Sequence, residues 1–451
     1  MISLVVAIFI IGYLCIAFEH PLRLDKTAPA LLMAALCWAV YAIGFRNSGM
    51  PLLDMNTHQE LFYDPSIGHE SFDSFLQVLL HHLGKTAEIL IFLIGAMTIV
   101  EIIDLHNGFA IIKQWVKTRN KKKLLWIVAI LAFVLSAIID NLTATIVLIT
   151  ILRKLIHDRP TRLWYAGLIV IAANAGGAWS PIGDVTTTML WIANKTSVAL
   201  LIEHLLLPSA ICMLVPVIIA SMLPPFKGDI PEAPANSEEE LLLSSKTILF
   251  LGLGGILSVP FFKTFTHLPP WVGMILALSI VWLVSEYVIP ERDWTHEKRR
   301  KYSVHKALAK IEMNSILFFL GILMAVAALE SIGVLFHAQE WLTETVPNTN
   351  VVILLLGVAS AIIDNVPLVA ASIGMYGSAF PIDHSAWHFI AYAAGTGGSM
   401  LIIGSAAGVA AMGMERINFI WYLKKITWLA VLGYLAGALV FYLMFGVHVA
   451  G

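Results

Sequence analysis

The chain has 451 residues, of which 59% are hydrophobic and 13% charged, with a mean hydropathy of +0.83 and a net charge of −2. A soluble domain carries about 25% charged residues, so a water-soluble globule of this size is excluded, and the near-neutral balance leaves no nucleic-acid footprint. The composition is that of an all-α polytopic membrane protein, in which each charged residue inside an apolar run is informative. Cys15, Cys37 and Cys212 all sit in apolar runs. They read as packing residues, not as a disulfide framework or a thiolate metal site.

Residues 2–18 form the first apolar run, and no Lys or Arg precedes it, which argues against a cleavable signal. Arg23 and Lys26 follow, so the positive-inside rule places 19–27 in the cytoplasm and the N-terminus outside. The run 28–45 returns outward. Residues 46–84, with many acids and His58, His69, His81 and His82, read as external, with an interfacial helix over 71–83. The run 86–112 comes back in and ends on Lys113, Lys117, Arg119, Lys121, Lys122 and Lys123, a strong cytoplasmic mark.

The segment 124–155 is apolar between two basic flanks, so a single crossing cannot satisfy both. It breaks at Asp140-Asn141, and its leading 16 residues span about 24 Å as helix, short of the roughly 30 Å hydrocarbon core. A re-entrant hairpin that turns at Asp140-Asn141 satisfies both flanks, provided that its tip faces protein or a wet cavity. A broken span over 164–204, interrupted at 174–184, leads outward, and 205–223 returns. The Pro-, Ser- and Glu-rich stretch 224–246 reads as a cytoplasmic linker between two halves. Spans over 247–262, 271–289 and 314–336 follow, with a basic cluster at 292–310. A second hairpin, 351–375, breaks at Asp364-Asn365 between flanks that hold no Lys or Arg, so it enters from outside. A broken span, 389–413, and a last span, 426–447, complete about ten full crossings and two opposed hairpins.

The halves repeat. Ser136-Ala-Ile-Ile-Asp-Asn141 recurs letter for letter as Ser360-Ala-Ile-Ile-Asp-Asn365. Phe92-x-x-Gly95 matches Phe318-x-x-Gly321, and Gly176-Gly177-x-x-x-x-Ile182-Gly183 matches Gly397-Gly398-x-x-x-x-Ile403-Gly404, in the same order. The basic flanks give the halves, 1–223 and 247–451, opposite orientations. Inverted repeats with paired broken helices are the pattern of a secondary transporter with its site near the bilayer midplane. Close helix packing would account for the glycines and serines. It does not account for an Asp placed twice in mid-segment, at about 3 kcal/mol each on insertion scales.

The polar residues at these breaks are Asp140, Asn141, Thr143, Thr145, Asn174, Ser180, Asp184, Thr186, Thr187 and Thr188. They offer carboxylate, amide and hydroxyl oxygens, the donor set of a hard monovalent or divalent cation, with two acids, Asp140 and Asp184, among them. A carboxylate in a partly dry site binds a proton or a cation but not both, which is a minimal mechanism for exchange. The second half offers Ser360, Asp364, Asn365, Thr396, Ser399 and Ser405, with Ser405 where the first half has Asp184 and Gly395 where it has Asn174. The first half is therefore expected to hold the main site, with Asp364 either a second cation or proton site or a structural tip residue. Glu88 invites a proton or pH role or mere snorkelling, and His81 and His82 a pH role or simple solvation.

The stretch from Asn174 to Trp191, with the paired Ser-Ala-Ile-Ile-Asp-Asn tips, resembles the NhaD-type sodium/proton antiporters of the ion transporter superfamily over nearly the whole chain. The resemblance implies exchange of cytoplasmic Na⁺ or Li⁺ for external H⁺ in a bacterial-type inner membrane, with no cofactor beyond the transported ions. It also implies a scaffold and a moving transport domain, commonly homodimeric. By the same resemblance, Asp140, Asn141, Asn174, Asp184, Thr186, Thr187, Asp364, Asn365, Ser399, Ser405 and Glu88 are the positions that matter. The rival readings on this fold are a sodium-coupled carboxylate symporter and an arsenite-type exporter. An anionic substrate would be repelled by three aspartates. An intramembrane enzyme lacks support, since no HExxH, Gly-x-Ser-x-Gly or phosphate-loop motif is present.

Overall fold

The first turn of a helix leaves its amides unpaired, so helix starts favour residues whose side chains can accept an N–H. This chain uses that device at the helix starts led by Asp140 and Asp184, among others. The computed structural model describes all residues except 18–21, 23, 54–59, 116–117, 231–241, 289–302, 347, 378 and 447–451. The early helices are α1 (Ile2–Ala17), α2 (Thr27–Ser48), α3 (Gly68–Leu105) and α4 (Ala110–Trp115). Then Asn120 caps α5 (Lys121–Ile139), Asp140 caps α6 (Asn141–Leu155), Asp158 caps α7 (Arg159–Gly177) and Asp184 caps α8 (Val185–Ile192). The long α9 (Val198–Ala220) follows.

The second half holds α10 (Leu243–Thr266), α11 (Pro270–Leu283), α12 (Val304–Lys310), α13 (Met313–Ser331), α14 (Val334–Thr345) and α15 (Thr349–Ser360). Then come α16 (Asn365–Tyr376), α17 (Ser385–Gly397), α18 (Ala406–Glu415), α19 (Phe419–Lys425) and α20 (Thr427–Phe445). Among the described residues, eight helices are long and apolar enough to cross a bilayer, and the protein is a multi-pass all-α membrane protein. Residues 231–241 of the linker 224–246, and residues 292–302 of the basic cluster, lie outside the described residues.

One expected boundary is absent. The interfacial helix expected over 71–83 and the span expected over 86–112 form a single 38-residue helix, α3. Gly84 alone costs only about 1 kcal/mol relative to Ala, too little to interrupt a helix with apolar residues on both sides. The helix stops at Leu105, before a turn in which Asn107 takes a left-handed φ of 53°.

The chain packs as two compact units, and neither is a sequence half. One comprises Met1–Leu90, Glu312–Val352 and Val366–Pro381. Its centre is the packing of α2 on α13. Trp38 donates its indole N–H to the Met324 carbonyl at 2.8 Å, and the Tyr41 hydroxyl donates to the Ser331 carbonyl at 2.9 Å. Both aromatic side chains thus satisfy their polar atom while burying a large ring.

The other unit comprises Ile91–Ile311, Ile353–Asn365 and Ile382–Gly451. It contains α5 to α9, both broken segments and α17 to α20. Two glycines fix its interior. A Cβ at Gly176 would collide with the Phe133 carbonyl of α5, and one at Gly397 would collide with the Gly357 carbonyl of α15. Only glycine permits these backbones to meet. Beside each contact a tip serine donates to a carbonyl: Ser136 to Ala173 at 2.6 Å and Ser360 to Ala394 at 2.8 Å. The glycines and serines of the repeated motifs thus build the same frame twice.

Candidate cation site

The frame sets two helix starts next to each other in the second unit. Asp184 begins α8, and its carboxylate accepts the Thr186 N–H at 3.2 Å. Ser405 begins α18 and accepts the Gly408 N–H at 3.2 Å. The sequence repeat makes these two caps equivalents, one charged and one neutral.

Asp184 is only 3% exposed, and two side-chain amides and a backbone N–H donate to its carboxylate. Asn141, the first residue of α6, donates to Oδ2 at 3.1 Å. Asn365, the first residue of α16, donates to the same oxygen at 3.2 Å. The tip amides of the two halves therefore meet on one carboxylate. Asn141 also donates to Oδ1 of Asn174 at 2.9 Å, and Asn174 donates to Oγ of Ser405 at 2.9 Å. The chain Asn365–Asp184–Asn141–Asn174–Ser405 is closed by side chains from both halves. The Asp140 and Asp364 carboxylates are near enough for their charges to act on Asp184, and both are half-buried.

Other residues expected at the site are divided by the geometry. Asp140 caps α6, its carboxylate accepting the Thr143 N–H at 2.8 Å and the Thr143 hydroxyl at 2.9 Å. Its backbone lies at φ 79°, ψ 159°, a region that glycine alone populates freely, at a cost of about 1–3 kcal/mol for other residues. Thr187 donates to the Asp184 carbonyl at 2.9 Å, and Thr188 donates to the same carbonyl and to that of Pro181. The Thr186 hydroxyl lies beside the Asp184 carboxyl without hydrogen-bonding geometry, and the buried Thr145 hydroxyl of α6 also lacks a partner. Ser399 faces away from this group. Its hydroxyl donates to the Thr396 carbonyl at 2.7 Å, and its own carbonyl accepts the Tyr422 hydroxyl at 2.8 Å.

Glu88, His81 and His82 belong to the first unit, not to the unit of Asp184. Glu88 is half-buried and His81 exposed. His82 departs from a solvated interface residue: it is 5% exposed and its Nε2 meets the Ser331 hydroxyl at 3.0 Å.

Sequence reasoning missed a buried clamp in the second unit. Glu415, at the end of α18, has its carboxylate held by Arg153 Nε at 2.7 Å and Arg162 Nε at 2.8 Å. The arginines read as cytoplasmic flank charges, and nothing in their spacing pointed to an acid some 250 residues away. The clamp ties the far ends of α6 and α18, the two helices whose first turns carry Asn141 and the Ser405 cap.

The donor set around Asp184 consists of carboxylate, amide and hydroxyl groups. That chemistry suits a hard monovalent cation or a proton. Among the described residues, no group of three or more His, Cys, Asp or Glu side chains forms a transition-metal site.

Known proteins agree with the reading of the chain as a carrier. The citrate-transporter family CitMHS matches residues 13–388. Sodium/proton antiporter 1 of Arabidopsis thaliana is 41% identical over 98% of this chain and 72% of its own length. The Na(+)/H(+) antiporter NhaD of Vibrio cholerae is 33% identical over 95% of this chain and 88% of its own. The chain belongs to this carrier family, in its NhaD-type antiporter branch. Among solved structures, the YdaH transporter of Alcanivorax borkumensis matches with a TM-score of 0.58 over 94% of this chain and 99% of that one. At 12% identity that likeness is one of fold. The members of the NhaD-type branch are transporters, and this chain is accordingly a carrier and not an enzyme.

Proposed function

We propose that this protein exchanges Na⁺ or Li⁺ for H⁺, with cation and proton competing for the carboxylates gathered about Asp184. The observation that carries the reading is the meeting of Asn141 and Asn365, from opposite halves, on one buried carboxylate flanked by two more acids. Three carboxylates in a partly dry site cannot all stay ionised without a counter-charge. A proton on one of them meets that need, and so does a bound cation. Departure of one leaves a negative site that must be refilled, and this couples the two flows.

For a cation the oxygens at hand are those of Asp184 and Asp140, the amide oxygens of Asn141 and Asn174, and the hydroxyl of Thr186. In the arrangement described, both tip amides turn N–H toward Asp184. Cation loading therefore requires Asn141 to rotate its oxygen inward, which also releases Asn174. On this reading the two halves are inverted repeats, and the paired tips present the site to each side of the membrane in turn. A di- or tricarboxylate substrate is disfavoured, because the residues hydrogen-bonded around Asp184 include no Lys or Arg to offset its charge.

Inside-out membrane vesicles carrying a respiration-driven ΔpH, followed with a pH-sensitive dye, test the proposal. NaCl and LiCl should dissipate ΔpH in the wild type, and KCl should not. Asp184→Asn should abolish the response at equal protein level. No response to any of the salts between pH 7 and 9.5, with the protein present in the membrane, would sink the proposal. Citrate uptake would then be the assay to run.

A further inference from the structure

A second set of titratable groups lies in the same unit, away from the aspartates. His388 of α17 is fully buried, and His204 of α9 is half-buried. Their Nδ1 atoms are 2.7 Å apart and the rings meet edge to face. Two imidazole nitrogens at that distance share one hydrogen, so one ring donates and the other accepts. On its other side, Nε2 of His388 lies 3.5 Å from Oδ1 of Asp383, within ion-pair distance but without hydrogen-bond geometry. Asp383 is fixed in turn: its Oδ1 accepts the Ser197 N–H at 2.5 Å, its own N–H donates to the Lys195 carbonyl at 2.9 Å, and its φ is 61°.

These contacts favour one placement of hydrogens. His388 carries its hydrogen on Nε2, facing the carboxylate, and accepts at Nδ1 from His204. The opposite tautomer would leave a bare nitrogen lone pair 3.5 Å from a carboxylate oxygen. His204, itself half-buried, is then left with Nε2 unprotonated. A proton from water added there gives one positive charge, spread over two hydrogen-bonded rings and offset by Asp383. A second proton would break the shared bond and set two cations in contact.

The other groups acting on the rings are Glu203 of α9 and His384 at the start of α17. The last helix, α20, contributes the Phe445 ring, stacked on His204 at 4.0 Å. Lys195 is turned onto the Trp387 ring, with Nζ 5.4 Å from its centroid.

We propose that Asp383, His388 and His204 form a proton-binding relay, separate from the Asp184 group, that takes up a single proton. Because α17 runs from His388 directly into the Thr396–Gly397 break, a charged relay clamps α9 to α17 and sets the acid limit of exchange. The relay has its own chemistry, but its effect on transport rests on the exchange proposed above.

The two parts are tested separately. Nitrogen-15 NMR of histidine-labelled full-length protein in lipid nanodiscs reads the relay without reference to transport. His204→Gln and His388→Gln assign the signals. The two wild-type rings should titrate together as one macroscopic step. Asp383→Asn keeps an oxygen for the Ser197 amide and should lower the midpoint by about one pH unit, since a neighbouring carboxylate favours the charged ring. Two independent titrations, with His388 indifferent to Asp383→Asn, would overturn the relay. In proteoliposomes at equal pH on both faces, His204→Gln should extend sodium-driven proton movement about half a pH unit or more toward acid while keeping the maximal rate. An unmoved acid limit overturns the link to exchange. A wild type without exchange defeats the antiport reading instead, and the NMR result still decides the relay.

Discussion

The two breaks of the second unit share a frame and differ in charge. At each, a glycine meets a hairpin carbonyl and a tip serine binds the crossing helix: Gly176 with Ser136 in one, Gly397 with Ser360 in the other. Where the first break starts its helix with Asp184, the second starts its own with Ser405, and where the first has Asn174 the second has Gly395. The repeated motifs build the same frame at both breaks, and the two differing positions leave the carboxylate and the amide at the first break only. The second half still contributes, through the Asn365 amide on Asp184 and the Ser405 hydroxyl under Asn174. A second aspartate cap in place of Ser405 would add a further buried charge needing its own counter-ion.

The sharpest way to break this comparison is to exchange the caps. Asp184→Ser should reduce sodium-dependent ΔpH dissipation to background, a loss of a hundredfold or more. Ser405→Ala, at the equivalent position, should lower the rate only a few-fold. Equal losses would mean that the charge difference between the breaks is not what matters. Next in size are the frame glycines. Gly176→Ala and Gly397→Ala each force a methyl group into a backbone carbonyl, and overpacking of this kind costs about 1–3 kcal/mol. Both should lower the melting temperature in detergent by similar amounts, and a large inequality would show that the frames are not equivalent.

The tip amides come third. Asn141 holds both Asp184 and Asn174, whereas Asn365 holds Asp184 through its donated N–H. Asn141→Ala should therefore weaken apparent Na⁺ affinity more than Asn365→Ala, by about threefold to tenfold, in half-maximal dequenching titrations. The smallest effect concerns the clamp. Glu415→Gln leaves Arg153 and Arg162 facing a neutral amide. The charge-assisted bonds it weakens are each worth about 1.5–3 kcal/mol, so the melting temperature should fall while the Na⁺ concentration for half-maximal exchange stays within twofold.

Much of this was legible beforehand, because the bilayer makes charge conspicuous. An Asp-Asn pair inside an apolar run reads as a break whatever it packs against, and repetition of the pair exposes the duplication. The same rule singles out Asp140 and Asp184 as acids in apolar surroundings, and the structure sets the Asn141 and Asn365 amides on the second of them. Periodicity could not separate the interfacial helix from the third span, since one glycine in an apolar context leaves a helix intact. The repeat marks Ser405 as the counterpart of Asp184 but says nothing of where Ser399, next to the Gly397-Gly398 pair, points: Ser399 turns its hydroxyl to the Thr396 carbonyl, and Ser405 caps a helix beneath Asn174.

The sequence by itself determined the solvent, the two breaks and the inventory of oxygen donors, because hydropathy, charge and repetition are properties of the chain and need no partner. Tertiary structure decided which donors meet. Asn365 reaching Asp184, Glu415 between two arginines and His388 against His204 all join residues more than 180 positions apart. Such contacts depend on how helices cross, and crossing is set by backbone approach at the glycines, which spacing along the chain does not encode.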